Sequence, residues 1–401
     1  MKLALPLALA AVAALTACAS AHGAPDWRPQ PSFSGEAALP DIQLPVPTLS
    51  AGGGSAAPTP GSSSAAPSSG APSSSAQDPA VVATSLHSPT GIAVLPDGTA
   101  LVGERTSGRI VRVQPVAGRP VPTVRTLAVD GAGDGGLLDL ALSPAYAQDH
   151  LIYAYISTAK DNRVVDFTLT GPVTPVLIGI PHGARGNTGR LAFGPDGDLY
   201  VGTGDAGNAA AADAFTGLAG KVLRVSDIGR PATDNPSGTP VWTRGHRTVP
   251  GLCVPVSSET TPSSLSAVIE VEPDAHGIGE VNVLSAGQRY GPSGLAPAAT
   301  LPAKMTDPGG CAILDDMLFV TSKDGEALLG AQVQSDTGLL EIGKWQPVLH
   351  GTYGRLLTVS AATDGSLWLT TTNRDGHGRP VVDDERVIRI VPDTSPAVSP
   401  A

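Results

Sequence analysis

Six times between Gly91 and Thr371 the sequence returns to one unit: a short run of alternating apolar residues, a turn, and a second apolar run. GIAVLPDGTALVGE opens at Gly91, LDLALSPAYAQDHLIYAY at Leu138 and RLAFGPDGDLYVGTGD at Arg190. Looser copies follow as GLCVPVSSETTPSSLSAVIEV from Gly251, GCAILDDMLFVTS from Gly310 and RLLTVSAATDGSLWLTT from Arg355. With Ile92, Leu140, Leu191, Leu252, Cys311 and Leu357 as anchors, successive units lie 46 to 61 residues apart. A single small sheet cannot bury its faces alone, so repeats of this length pack against their neighbours. The pattern predicts an all-β chain, a six-bladed β-propeller of four-stranded antiparallel blades. Pro96-Asp97-Gly98, Pro195-Asp196-Gly197 and Thr363-Asp364-Gly365 supply the hairpin turns. None continues into the acidic ladder and distal Glu of an EF-hand. Helical periodicity is confined to Ala209–Phe215.

The repeats occupy only part of the chain. Lys2 is followed by an apolar run from Leu3 to Leu15 that ends in Leu15-Thr16-Ala17-Cys18. The run is too short to span a bilayer of about 30 Å and reads as an export signal over residues 1–17. Its ending resembles a bacterial lipobox, which implies cleavage before Cys18 and lipidation of that thiol; an ordinary secretory signal is the alternative. Two or more acyl chains would hold the protein stably on the extracytoplasmic face of the cell membrane.

Residues 18–80 are dominated by Pro, Ser, Ala and Gly, a composition that buries too little apolar surface to offset its ordering entropy. A disordered tether with a mean span of roughly 40 Å is expected there. The propeller is then expected over 81–393, with a disordered tail over 394–401. A net charge of −11 with only 25 Lys and Arg argues against nucleic acid or anionic lipid as a charge-matched partner. Cys253 and Cys311 begin the fourth and fifth units at equivalent places, so in an oxidising compartment they are expected to pair.

One motif invites a different reading. Gly202 to Gly207 spell GTGDAG, a literal G-x-G-x-x-G, with Asp227 following at the spacing of a dinucleotide-binding acid. That fingerprint needs a strand, a tight turn and a crossover helix. Here LYVGT is reached through the Asp-Gly hairpin from LAFG, so its neighbour is expected to be antiparallel and the nucleotide reading fails on context.

From Ser88 to Val391 the chain resembles the soluble glucose and sorbosone dehydrogenases, with a look closest to actinobacterial lipoproteins of the LppZ type. The segments that carry the likeness are SPTGIAVLPDGTALVGERTSGRI, GDGGLLDLALSPAYAQDHLIYAYIST, GRLAFGPDGDLYVGTGDAGN, LAGKVLRV, GHRTVPGL, GEVNVLSAGQRYGP and GRLLTVSAATDGSLWLTT. The resemblance implies pyrroloquinoline quinone (PQQ) across the mouth of the channel, a calcium ion that polarises it, and sugar oxidation.

Carried over residue by residue, the likeness is uneven. The family's general-base histidine stands four residues before the arginine of G-R-L, which is Arg190 here, and that place is Gly186. His182 lies four residues further upstream, about 13 Å of extended chain, and is a weak substitute. Arg247, Lys323 and Arg355 match cations that contact the cofactor, Lys323 with a spacing one residue short. Leu357, Thr358, Thr248 and Pro250 replace other polar contacts, and Tyr290-Gly291-Pro292 lacks the family's Trp. For calcium the resemblance points to the backbone at Asp274-Ala275 and to Glu280, although Gly279 replaces a neighbouring acid.

Two expectations follow. One is a tethered propeller with a degenerate site that binds a small sugar or cell-envelope ligand, or acts as a scaffold, and carries no cofactor. The other is an active dehydrogenase using PQQ, calcium and a displaced base.

Overall fold

The computed structural model describes residues 78–259, 263–292, 294–336 and 339–392. The export signal, Cys18, most of the tether and the tail lie outside the described residues. Contacts with the propeller begin at Asp78, ahead of the expected boundary at 81: Tyr353 donates its hydroxyl to Asp78 Oδ2 at 2.8 Å, and Arg389 N donates to the Ala80 carbonyl at 2.8 Å.

The expected architecture is present. Innermost strands Pro89–Val94, Leu137–Leu142, Gly189–Phe193, Gly251–Cys253, Pro308–Leu314 and Leu356–Ala361 line the axis, one per blade. Each of the six sequence anchors falls in one of them. Blades 1 to 5 then run outward in chain order through three further antiparallel strands. Blade 3, for example, continues through Leu199–Thr203, Lys221–Val225 and Val241–Arg244, with Leu191 opposite Val201. Blade 6 differs. Its outermost strand is the first of the fold, Val81–Ala83, which pairs antiparallel with Val387–Ile390 and closes the ring with both ends of the domain.

Buried apolar side chains gather between blades. One cluster joins Leu101 and Ile110 of blade 1 to Leu137 and Ile152 of blade 2, and another joins Leu199 and Leu223 of blade 3 to Tyr155 and Val164 of blade 2. The closing seam sets Val82 and Trp368 of blade 6 against Ile92 and Val102 of blade 1.

Two features depart from the plain repeat. After Cys253 the chain turns aside, and Pro255–Val256 pairs in parallel with Ile313–Leu314 of blade 5 before blade 4 resumes at Ile269. In blade 5 the long third strand Ala327–Asp336 pairs with Gln346–His350 and also forms a side hairpin with Leu339–Ile342. Neither has a regular apolar spacing to announce it. Among the described residues helix is limited to Ala209–Asp213, inside the expected segment, and to Tyr146–Asp149, a single turn with no buried residue and hence no apolar stripe.

Cys253 and Cys311 form the expected disulfide, with Cα atoms 5.8 Å apart on adjacent innermost strands. It closes a loop with a sequence separation of 58. Replacing both cysteines by serine should lower the unfolding free energy by about 4 kcal/mol in the chain-entropy picture. Denaturant titration of the double variant beside the oxidised parent measures it; an unchanged midpoint would refute that contribution.

Candidate functional site

Antiparallel topology sends all the matched residues to one end. The segments that lead into the innermost strands, and those that join second to third strands within a blade, emerge at the same mouth. The first set contributes Asp134, His182, Gly186, Arg247, Asp307 and Arg355. The second contributes the Gly204–Gly220 loop, the Asp274 turn, Lys323 and Asp324, and Asp375. Below the mouth the innermost strands enclose a channel of about 300 Å³. Inside it Arg190 of the G-R-L motif donates from Nε to the Pro250 carbonyl at 2.6 Å and faces Asp139 at 3.7 Å, while Asp139 Oδ2 accepts from Leu191 N. This arginine braces blades 2, 3 and 4. Burial pushes the Asp139 carboxyl above the ordinary range, and Arg190 opposes that push.

Gly186 has a structural reason to be glycine. Its φ is +74°, and a Cβ there would stand 2.8 Å from Asp205 Oδ1 and 2.9 Å from Gly207 N. Its N–H donates to Asp134 Oδ2 at 2.6 Å, and its carbonyl accepts from Ala206 N. Asp134 Oδ1 also accepts from the buried side chain of Asn187, which in turn donates to the Gly183 carbonyl. Sequence reasoning overlooked Asp134, which lies in the quoted GDGGLL segment. Two of the nucleotide-like glycines meet this same loop, a Cβ on Gly204 standing 2.0 Å from the Gly186 carbonyl oxygen and Gly207 lying beside Arg185 with a φ of +79°, while a Cβ on Gly202 would stand 2.5 Å from Val249. Close packing and a left-handed backbone, not phosphate binding, account for them.

The Gly204–Gly220 loop is held from below by Lys221, a fully buried residue whose Nζ donates to the carbonyls of Ala211, Ala212 and Ala219. Burial pushes that ammonium down to about 8, which still leaves it protonated at neutral pH.

The three matched cations are at the mouth, each already paired. Arg247, about half exposed, donates to Asp205 Oδ2 at 2.8 Å. Lys323 Nζ is 2.8 Å from Asp307 Oδ1. Arg355, whose side chain is 5% exposed, binds Asp307 at 3.0 Å, Asp375 at 2.9 Å and also Asp324. The hydrogen bond from Arg355 holds the Asp324 carboxyl below its usual range. Three cations against four carboxylates leave this set with one net negative charge.

His182 sits in the loop before Gly189, and its Nε2 is buried without a hydrogen-bond partner among the described residues. Asp274 spends Oδ1 on the N–H groups of His276 and Ile278, while its carbonyl accepts from Gly277 N. Glu280 is the cross-strand neighbour of Glu272, and burial together with Glu272 and Asp274 raises its carboxyl.

Asp274, Ala275 and Glu280, the residues the resemblance assigns to calcium, lie in and beside the turn between Ile269–Pro273 and Gly279–Val283. Among the described residues the metal-capable side chains that converge in a group of three are His246, Glu270 and Glu272. Burial and Glu272 push Glu270 up to about 7. Burial works against a charged His246, but Glu270 and Glu272 outweigh it and push the imidazole up to about 9. His246 was visible in GHRT; its acidic partners were not, because the pairing depends on the fold.

Comparison with known proteins agrees with this layout. The family model for glucose/sorbosone dehydrogenase matches residues 86–296. Quinoprotein glucose dehydrogenase B of Acinetobacter calcoaceticus is 29% identical over 257 residues, covering 53% of this chain and 52% of that one. Aldose sugar dehydrogenase YliI of Escherichia coli is 27% identical over 230 residues, covering 53% and 60%. The alignments thus span about half to three-fifths of these relatives.

Among solved structures, the PQQ-bound aldose sugar dehydrogenase of Streptomyces coelicolor superposes with a TM-score of 0.68 at 35% identity, over 77% of this chain and 95% of that one. A glucose dehydrogenase-like oxidoreductase of Thermus thermophilus gives 0.69 at 32% identity, over 77% and 98%. With the family model matched over more than half of its residues, and the six blades and their mouth in place, the chain belongs to the PQQ-dependent glucose/sorbosone dehydrogenase family.

Proposed function

We propose that this protein is an extracytoplasmic lipoprotein, tethered to the cell membrane through Cys18, in which the dehydrogenase propeller works as a binding or scaffold module and not as a catalyst. The observation that carries the reading is Gly186. At the place of the family's base the chain has no titratable group, a left-handed backbone, and no room for a side chain. Loss of a positioned base alone removes on the order of 10² to 10⁴ in rate.

The surrounding charges support the same conclusion. PQQ is a tricarboxylate, and arginine suits a carboxylate because its fork can bind both oxygens. Here the Arg355 fork is filled by three aspartates, and Lys323 shares Asp307 with it. The residues present do not fit a trianionic quinone. A neutral, hydroxyl-rich ligand fits better, since aspartates and arginines at a partly exposed mouth can exchange hydrogen bonds with sugar hydroxyls without an added charge. A small sugar or a sugar-containing fragment of the cell envelope is the ligand class we assign.

The second reading, an active dehydrogenase, draws its support from the unpartnered Nε2 of His182 in the same loop. One assay separates the two. Purified protein incubated with PQQ and millimolar calcium should show no saturable quinone absorbance and no dye reduction with glucose or other aldoses. Saturable binding with turnover would overturn the non-catalytic reading. A thermal-shift panel of sugars and peptidoglycan fragments should yield a stabilising ligand on the binding reading.

Gly186→His should not restore activity. Forcing a β-carbon into this left-handed position should cost about 1–3 kcal/mol of stability. Thermal unfolding and dye reduction on the same preparation check both parts; a stable variant with turnover would contradict the geometric argument.

Cys18→Ala should move the protein from the membrane to the soluble fraction, because an unlipidated apolar run of this length does not anchor. Fractionation that leaves the variant with the membranes would refute lipid anchoring.

A further inference from the structure

We infer that His246, Glu270 and Glu272 form a divalent-metal site at the seam between blades 3 and 4, separate from the Asp274 turn. His246 lies in the segment that leads from blade 3 into blade 4. Glu270 and Glu272 are alternate residues of Ile269–Pro273, so both project from one face of that strand. All three are buried, at 0%, 0% and 2% exposure.

The donor geometry has a gap at its centre. His246 Nδ1 stands 3.7 Å from Glu270 Oε1 and 3.7 Å from Glu272 Oε1, beyond hydrogen-bond range. Among the described residues neither Nδ1 nor Glu270 Oε1 has a hydrogen-bond partner. Buried polar atoms are rarely left unpaired, because the loss of water is then uncompensated. Two such atoms facing each other across 3.7 Å are the donors that one cation would satisfy, since metal bonds of about 2.0–2.2 Å to each would span that distance.

The remaining atoms are held as ligands require. His246 Nε2 is 2.8 Å from the Thr243 hydroxyl. With the proton on Nε2 and donated there, Nδ1 keeps its lone pair for a metal. Asn282 Nδ2 donates to Glu270 Oε2 at 2.8 Å and to Glu272 Oε1 at 3.3 Å, which orients both carboxylates. Tyr290 stacks on the imidazole with centroids 5.4 Å apart.

An imidazole that gives up its Nδ1 proton as the metal enters and two carboxylates together carry two negative charges, the complement of a divalent ion. Imidazole with carboxylate favours borderline zinc, and admits manganese through its carboxylates, over calcium, which prefers oxygen alone. The ion would tie the approach to Arg247 to the strand that ends at the Asp274 turn, and so fix one side of the mouth. Full burial means that it enters during folding.

The test uses the full-length chain, refolded from denaturant with chelator or with zinc or manganese and then freed of excess ion. Elemental analysis of the metal-refolded protein should find about one equivalent of zinc or manganese per chain, as a three-residue site holds one ion. Thermal unfolding should occur at higher temperature than for the chelator-refolded protein. Glu270→Gln, which keeps the shape and loses the charge, should retain less than a tenth of that metal. Should that variant fail to fold, K-edge absorption of the metal-refolded wild type decides: a nitrogen/oxygen shell with one imidazole supports the site, and a sulfur or all-water shell overturns it. Wild-type protein that holds less than a tenth of an equivalent after refolding with metal, or a Glu270→Gln protein that binds as much as wild type, also overturns it.

Discussion

The fold depends on burial between blades. Each of the six apolar clusters draws its main members from two adjacent blades, including the closing cluster that joins Val82, Ala83 and Trp368 of blade 6 to Ile92 and Val102 of blade 1. A blade by itself would leave both faces wet. Fully burying one Val, Leu or Ile is worth about 1.5–3 kcal/mol, so a seam with about a dozen buried residues is a large stabilising term that vanishes if the ring opens there. The pairing of Val81–Ala83 with Val387–Ile390 is the last link in that ring. It converts six marginal sheets into one cooperative unit, and Tyr353 with Asp78 adds a polar tie at the same joint.

A closed ring also explains why the mouth is well defined although it is made of loops. Each loop is pinned by polar contacts that cross blade boundaries. Asp134, which enters blade 2, holds Gly186 and Asn187, which enter blade 3. Asp205 of blade 3 holds Arg247, which enters blade 4. Arg355, entering blade 6, grips Asp307 and Asp324 of blade 5. These contacts hold the charged groups of the rim in place and leave Arg247 about half exposed. The rim is thereby rigid, and its charges are largely satisfied within the protein.

The legible part of this molecule was the part set by short-range pattern. Alternation of apolar residues with Asp-Gly turns gives strands and hairpins, and six recurrences give the blade count, because each unit repeats the same local problem. The disulfide was legible for the same reason: Cys253 and Cys311 hold equivalent places in adjacent units. What escaped depends on long-range closure. Nothing local marks Val81–Ala83 as the outer strand of the last blade, or Pro255–Val256 as a strand of blade 5. Asp307, Asp324 and Asp375 read as ordinary turn acids until the ring brings Lys323 and Arg355 to them, and Asp134 until it brings Gly186 and Asn187. Glu270 and Glu272 read as the polar residues of an alternating strand, and the fold instead turns that face inward onto His246.

Arg355 shows why a retained residue type is weaker than its surroundings as a guide to chemistry. An arginine serves a carboxylate ligand when its donors are oriented yet unsatisfied, so that ligand oxygens replace water. Here Nε, Nη1 and Nη2 each meet a protein carboxylate, and the backbone N–H is taken by Asn373. An incoming anion would have to displace an aspartate, leaving that charge beside the new one at the mouth. In this fold Arg355 is a clamp between blades 5 and 6. On the proposed reading Gly186 completes the argument from the other side: one position offers no side chain, and the other has its donors taken by neighbouring aspartates. Together they separate membership in the family, which rests on the blades, from catalysis, which rests on groups left free at the mouth.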